Sequence, residues 1–366
     1  ENSVLKVKIY GAGSIGCHIA YSRRCAGMDI CVVAVDEADL TRMKKDVYPS
    51  RYGSWDPRII LSREDDPGHD GDLVIIGTPP ESHLEIASSV LEHQSPKALL
   101  VEKPLCPPDI DQLLQFQKTV QKSETQVFIG YNHTLTENTR VLRQVLREGD
   151  CGPLTDIDVF FQEHWQGIFD AHPWLRGPQD SYLGYALRGG GALCEHSHGL
   201  NLFETIARET GAGRIAEVSA RMQMVERNGL AYDESTRLSV VTENGLPGTV
   251  RQDVVTFPPR KEVIVRRGTN DVSWQVNRRK GVDSVIQNIR GKQTVYDMPK
   301  TRSDDCHPEI EHILSILNGE EYEKSPLHIE HGINTMIAIC AAFVSAREGK
   351  TVKIHYGRNE SERILE

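Results

Sequence analysis

The sequence has 366 residues, 39% of them hydrophobic and 26% charged, with a formal net charge of −10. This is ordinary globular composition, in a chain long enough for two domains with sizeable cores. The acidic balance argues against a nucleic-acid partner, which selects a basic face. No stretch reads as a signal peptide, and the longest apolar run, residues 336–344, is too short to span a bilayer, so no membrane partner is expected. The eight cysteines, Cys17, Cys25, Cys31, Cys106, Cys151, Cys194, Cys306 and Cys340, form no C-x-x-C pair and several sit in apolar runs. They read as reduced thiols of a cytoplasmic protein.

Through the first third, strand-like and helix-like segments alternate. Residues 7–10 are apolar apart from Lys8, 16–26 read as a helix, and 31–35 form an apolar run ending in Asp36. Further apolar runs at 73–76 and 98–101 end in Gly77-Thr78-Pro79-Pro80 and Glu102-Lys103-Pro104. Residues 81–92 and 109–122 read as helices, the first with Leu84, Ala87, Val90 and Leu91 on one face. Residues 127–129 are a last strand. Short strands buried on both faces and alternating with helices predict a doubly wound parallel sheet over a first domain, 1–132. The second domain, 133–366, reads as α+β. It has a helix at 138–148 closed by Gly149, a strand at 154–162 and a helix at 200–209. From 215 to about 296 the segments are β-rich, with Asn244-Gly245 as a hairpin turn, predicting a large, mostly antiparallel open sheet. Helices at 308–317 and 330–347 are expected to pack near it.

Gly11-Ala12-Gly13-Ser14-Ile15-Gly16 follows a strand, opens a helix and precedes a second strand ending in an acid, which is the context a dinucleotide site requires. Gly11 permits the turn, Gly13 lets a pyrophosphate approach, and Gly16 lets the helix pack on the sheet. Ser14 and Ile15 begin that helix, whose free N–H groups attract phosphate. Asp36 is placed to bind ribose hydroxyls and repels a 2′-phosphate, which favours NAD over NADP. Thr78, Pro79 and Glu102 lie at strand C-termini, where ligands bind in such sheets. Lys103 stands beside them. Gly189-Gly190-Gly191-Ala192-Leu193-Cys194-Glu195-His196-Ser197-His198 adds backbone that must bend or be closely approached, a carboxylate and two histidines. Together these segments point to hydride transfer between a nicotinamide and a hydroxyl-bearing carbon.

Four motifs carry a resemblance over nearly the full length: the glycine turn, Thr78-Pro79-Pro80-Glu81-Ser82-His83, Glu102-Lys103-Pro104, and the glycine triplet followed by acid and histidine. In these the chain resembles the glucose–fructose oxidoreductase / inositol dehydrogenase (Gfo/Idh/MocA) family. The resemblance implies a Rossmann domain, a second domain whose open sheet often serves homo-oligomerisation, and NAD(P)-linked chemistry on a sugar, cyclitol or related polyol. It implies that Lys103 hydrogen-bonds the reacting hydroxyl, that the peptide before Pro104 is cis, and that His83 belongs with the cofactor contacts. The third motif departs from the family's pattern: the carboxylate is Glu195 and the position four further on is Gly199, with His198 three on.

Spacings of three and four share a helical face, so Glu195, His198 and Asn201 form one stripe on a continuous helix. His196 lies about 200° round from His198. That assigns His198 as general acid/base, with Glu195 and Lys103 as its catalytic companions. His196 and His198 lack a third ligand at suitable spacing, so no metal is expected. Tyr131, Trp165, Trp174 and Arg176 are further substrate-binding candidates, since aromatic faces and arginines suit a sugar ring or a nucleotide-sugar phosphate. Lys300-Thr301-Arg302 and Asp305-Cys306-His307 precede a late helix, with Asp305 as a candidate N-cap. The leading expectation is an NAD-dependent sugar or polyol oxidoreductase. Its alternatives are an NAD-using enzyme with transient oxidation and no net redox change, and a non-catalytic NAD-binding sensor.

Overall fold

The chain is described by a computed structural model over residues 4–25, 27–34, 36–63, 70–149, 152–300 and 308–366. Segment 301–307, with the candidate N-cap Asp305, lies outside the described residues, as do the side chains of Ser14, Ile15, Cys25, Cys151 and Cys306.

The apolar runs of the first third become strands. β1 (Lys6–Tyr10) leads into α1 (Ser14–Cys25), then β2 (Asp29–Val33) and α2 (Glu37–Arg42), which continues through a π turn into α3 (Tyr48–Tyr52). β3 (Ile60–Ser62), β4 (Leu73–Ile76), α4 (Pro80–His93), β5 (Ala98–Val101), α5 (Ile110–Gln121) and β6 (Gln126–Ile129) follow. All six strands are parallel, in the order β3-β2-β1-β4-β5-β6. Every residue of β4 and β5 is buried, because helices cover both faces, which is why those strands read as unbroken apolar runs. Strand order reverses at β1, between β2 and β4, and this opens a crevice at the strands' carboxyl ends.

The second half comprises α6 (Glu137–Glu148), β7 (Asp156–Gln162), α7 (Gln166–Ala171), α8 (Gly191–Glu195), α9 (His198–Glu209), β8 (Ile215–Arg227), β9 (Leu230–Thr242) and β10 (Pro247–Asp253). It continues with β11 (Arg260–Arg267), β12 (Asn270–Arg279), β13 (Val282–Ile289), β14 (Lys292–Pro299), α10 (Pro308–Leu317), α11 (Ile329–Glu348) and β15 (Val352–Lys353). The nine strands run β14-β13-β12-β11-β7-β10-β9-β8-β15, antiparallel except for the β10–β7 pair. Alternation decides the faces: Ile157, Val159 and Phe161 of β7 are buried on the helix side, with Asp158 and Phe160 on the other. The turn at Asn244-Gly245 joins β9 to β10, with Gly245 at φ +88°.

By length and composition α11 could cross a membrane (mean hydropathy 1.4), yet it packs in the core. It reaches both sheets. Ser345 Oγ accepts the Ala220 N–H of β8, and just before the helix the Leu327 carbonyl accepts the Ile129 N–H of β6. The last helices are expected near the large sheet; α11 packs there and also closes the edge of the first, and one apolar core runs through both halves.

Candidate active site

At the crevice, Gly11 has φ +112° and its N–H bonds the Val33 carbonyl at 2.9 Å. A Cβ on Gly16 would lie 2.2 Å from the Gly11 oxygen, so only glycine seats α1 on the turn. A Cβ on Gly13 would meet nothing within 4 Å, so the backbone there faces open space. A bare turn, a helix N-terminus behind it and a clear approach fit a dinucleotide pyrophosphate. Asp36 is exposed at the end of β2; one of its oxygens caps α2 by accepting the Ala38 N–H at 2.9 Å. Gly77 and Thr78 lie against the Gly11 turn, with Pro79 next in the chain, and form the opposite bank.

Two residues assigned to the cofactor do something else. His83 is buried, with its ring nitrogens 2.9 Å from the Pro104 carbonyl and 2.7 Å from that of Thr78. Burial pushes its pKa down while these carbonyls pull it up; the ring sits between the segments that follow β4 and β5, and when neutral it donates its one N–H to one of the two carbonyls. The Glu102 side chain lies against Gly130, beyond the neighbouring β6, rather than toward the glycine turn. Burial first, and the Glu309 carboxyl second, push its pKa up to about 8.

Lys103, before a cis peptide to Pro104, reaches across to the second domain. Its ammonium donates to the Glu195 carbonyl at 2.5 Å and lies 3.6 Å from the Glu195 carboxylate. That carbonyl is free because α8 ends there, and a helix C-terminus attracts a cation. The glycine triplet makes this approach possible. A Cβ on Gly189 would sit 2.7 Å from Pro80, on Gly190 2.2 Å from the Tyr182 carbonyl, and on Gly191 2.1 Å from the Asp233 carboxylate.

The continuous helix expected after the triplet is broken. α8 stops at Glu195 and α9 begins at His198, with His196 and Ser197 between. Gln252 of β10 holds the break: its Nε2 donates to the carbonyls of Ala192 and Leu193, and its Oε1 accepts the Leu200 N–H. The stripe of Glu195, His198 and Asn201 therefore does not exist as one face. Asn201 is buried and donates to Thr335 of α11 at 3.2 Å, which removes it from the substrate candidates.

His198 packs edge-on to Tyr131 and His133, with ring centroids at 5.5 and 4.6 Å. Tyr131 is fully buried and donates to Ser197, so it is a wall behind the imidazole. Burial, then His133 and Lys103, hold the His198 pKa well below the ordinary histidine value, and His133 and His196 are pushed down to about 3. His196 donates through Nε2 to the Glu163 carbonyl at 3.2 Å. No group of three metal-ligating side chains occurs among the described residues. Lys261, paired with Glu163 at 3.1 Å, adds a charge at this end of the site that sequence reading passed over. Tyr182 is half-buried near Glu195, and burial pushes its pKa up.

Residues 166–190 form a strap along the crevice. Its base is an apolar cluster of Trp165, Phe169, Leu183, Ala192, Tyr232 and Val254. Trp165 is thus core, burial of such a side chain stabilising by about 1.5–3 kcal/mol. Trp174 lies under the Arg42 guanidinium, 4.6 Å from the ring centroid, and so meets α2 rather than a substrate. Arg176 is exposed and pairs with Asp180 at 3.3 Å. Arg188 grips the Glu81 carboxylate of α4 through contacts of 2.8–3.1 Å.

Residues 5–131 match the oxidoreductase family with an NAD-binding Rossmann fold, Gfo/Idh/MocA. No curated protein matches the chain significantly. Among solved structures, the WlbA dehydrogenase from Bordetella pertussis, in complex with NADH and UDP-GlcNAcA, is 16% identical with a TM-score of 0.71, covering 96% of this chain and 99% of its own. An aldose-aldose oxidoreductase from Caulobacter crescentus, complexed with glycerol, is 18% identical with a TM-score of 0.74, covering 96% and 100%. A levoglucosan dehydrogenase, in complex with NADH and levoglucosan, is 15% identical with a TM-score of 0.73, covering 96% and 100%. The shared fold is the Rossmann domain joined to the large open sheet.

Proposed function

We propose that this chain, whose N-terminal domain is that of the NAD-binding Gfo/Idh/MocA oxidoreductases, oxidises or reduces a hydroxyl-bearing carbon of a sugar, cyclitol or nucleotide-linked sugar. The observation that carries the reading is Lys103, fixed at the crevice between the glycine turn and Glu195. When bound, the nicotinamide supplies a hydride acceptor or donor. Lys103 holds the reacting hydroxyl and stabilises negative charge developing on its oxygen. Glu195 keeps the ammonium in position. His198, partly exposed and with no backbone bond on its ring, takes the hydroxyl proton, whereas the buried His196 is tied to Glu163. Asp36 at the ribose position favours NAD over NADP. The molecules held by the like-folded proteins, UDP-GlcNAcA in one and levoglucosan in another, agree with this class. Copies of the chain associate through the uncovered face of the nine-stranded sheet.

Lys103→Ala tests the reading. Dinucleotide affinity, measured by titration, should stay nearly intact, while turnover falls by at least about a hundredfold, the scale of a positioned proton-transfer group. Loss of dinucleotide binding without a separate loss of chemistry would reduce Lys103 to a structural role.

A further inference from the structure

A cavity of about 660 Å³ lies where the end of α9, the start of α11, α5 and residues 356–364 meet. Arg208, on its wall, stands ten residues after His198 on α9, about 15 Å along the helix. No residue of this cavity belongs to the crevice. Four cations line it, Lys118, Arg208, Arg214 and Arg358, against two carboxylates, Glu330 and Glu362. Both carboxylates already accept hydrogen bonds, Glu330 from the Gln117 amide at 3.2 Å and Glu362 from the Asn359 N–H at 3.1 Å. Arg214 is paired with Glu243 at 2.8 Å and lies over the Tyr356 ring. Among the described residues, Lys118, Arg208 and Arg358 form no ion pair.

Arg208 is the informative one. It is half-buried, and burial lowers its pKa against the pull of Glu204 and Glu209. Neither acid neutralises it. Burial pushes the Glu204 pKa up to about 8, and its carboxyl accepts from Thr335 at 2.7 Å. Both Glu209 oxygens are taken by the Arg143 Nε–H, at 3.1 and 2.8 Å. A guanidinium has five donors, and a half-buried one without a protein acceptor is costly unless a ligand supplies it. Beside it, burial and then Arg208 push the His331 pKa down to about 3, so that ring adds a neutral donor and no competing charge. The Asn334 amide on the same wall makes no hydrogen bond among the described residues. In a chain of net charge −10, three unpaired cations around one cavity call for an anion.

We propose that this cavity binds a small phosphorylated metabolite, a phosphate monoester whose head sits on Arg208 between Lys118 and Arg358 and whose polar body meets the amides of Gln121, Asn334 and Asn359. A monoester carries close to two negative charges at neutral pH, which suits several unpaired cations better than a single carboxylate does. The fork of a guanidinium matches phosphate oxygens in pairs. The cavity is larger than a bare phosphate, which leaves room for the body.

Isothermal titration calorimetry on the full chain tests this, with NAD in excess so that the glycine turn is filled and at one ionic strength. The probes are glycerol 3-phosphate, inorganic phosphate and glycerol. Glycerol 3-phosphate should bind once per chain at about millimolar or tighter, inorganic phosphate more weakly, and glycerol not at all. Arg208→Gln should weaken the ester by about tenfold or more, the scale of a lost charge-assisted hydrogen bond. Asn334→Asp, which leaves Arg208 in place and sets a carboxylate in the cavity, should weaken it similarly, with the melting curve and NAD titration unchanged. No binding of either phosphate at millimolar concentration, or equal binding by wild type and both variants, would overturn the site. Tighter binding of inorganic phosphate than of the ester would overturn the monoester as its ligand. None of these outcomes bears on the redox reading of the crevice.

Discussion

His196 and His198 are two residues apart, yet the fold treats them differently. His196 spends its Nε2 hydrogen on the Glu163 carbonyl and is buried. His198 has only ring neighbours, Tyr131, His133 and Phe161, and its buried Nδ1 has no hydrogen-bond partner in the protein. The His198 ring keeps part of its surface exposed and has no backbone bond to give up, so it is the one a substrate hydroxyl can reach. His198→Asn should lower kcat by about a hundredfold or more with NAD affinity kept, and His196→Asn should cost less. Steady-state kinetics of both variants decide it: a dead His196→Asn enzyme beside an active His198→Asn one would move the role to His196. The helical face that pointed to His198 is absent, so the choice now stands on the exposure of its ring and on the backbone bond that occupies His196.

At the scale of elements, legibility followed the range of the forces. β4 and β5 were visible because each is an apolar run buried on both faces, a signal carried by the segment itself. The break between α8 and α9 was invisible because its cause is Gln252, 52 positions after Leu200 in the chain. The strap was equally hidden: residues 166–190 lack helical or strand periodicity, and Tyr232 and Val254 hold them in place from other elements. The glycine triplet was read correctly as closely approached backbone, but the three neighbours that demand it, Pro80, the Tyr182 carbonyl and Asp233, could not be named. Gln252→Ala tests the importance of the break. It strips the Gln252 bonds from the Leu193 carbonyl and the Leu200 N–H, each buried group left unsatisfied costing about 1–3 kcal/mol, while the Ala192 carbonyl keeps the His196 N–H. The variant should melt several degrees lower and lose turnover, because the α8 terminus that presents Glu195 to Lys103 loses its support. An unchanged melting temperature in calorimetry would show that the break holds without it.

The whole molecule leaves one face of its largest sheet uncovered. Register places Arg221, Arg237 and Arg251 directly opposite one another on β8, β9 and β10. Like charges so placed destabilise an isolated sheet by about 0.2–1 kcal/mol per pair. On the same face a second row runs Asp158, Ile264, Ser273, Ile286 and Val295 across β7, β11, β12, β13 and β14. Arg251 and Arg260 lie over the Phe160 ring at 5.0 and 3.6 Å, and Val295 is 41% exposed. The face therefore joins an apolar middle to a basic end, and it also carries acids, Asp156, Asp158 and Glu262. A second copy turned through a two-fold axis can bring acids toward the arginines while the isoleucines bury each other, which is the self-complementarity an isologous interface needs. The chain should thus sediment at no less than twice its 41.0 kDa. Ile264→Asp puts a carboxylate in the middle of that contact and should return the protein to a single 41.0 kDa species with its first domain still folded. Wild-type protein that sediments as a monomer across micromolar concentrations would leave the arginine row and the apolar row without the partner they call for, and the interface would have to be abandoned.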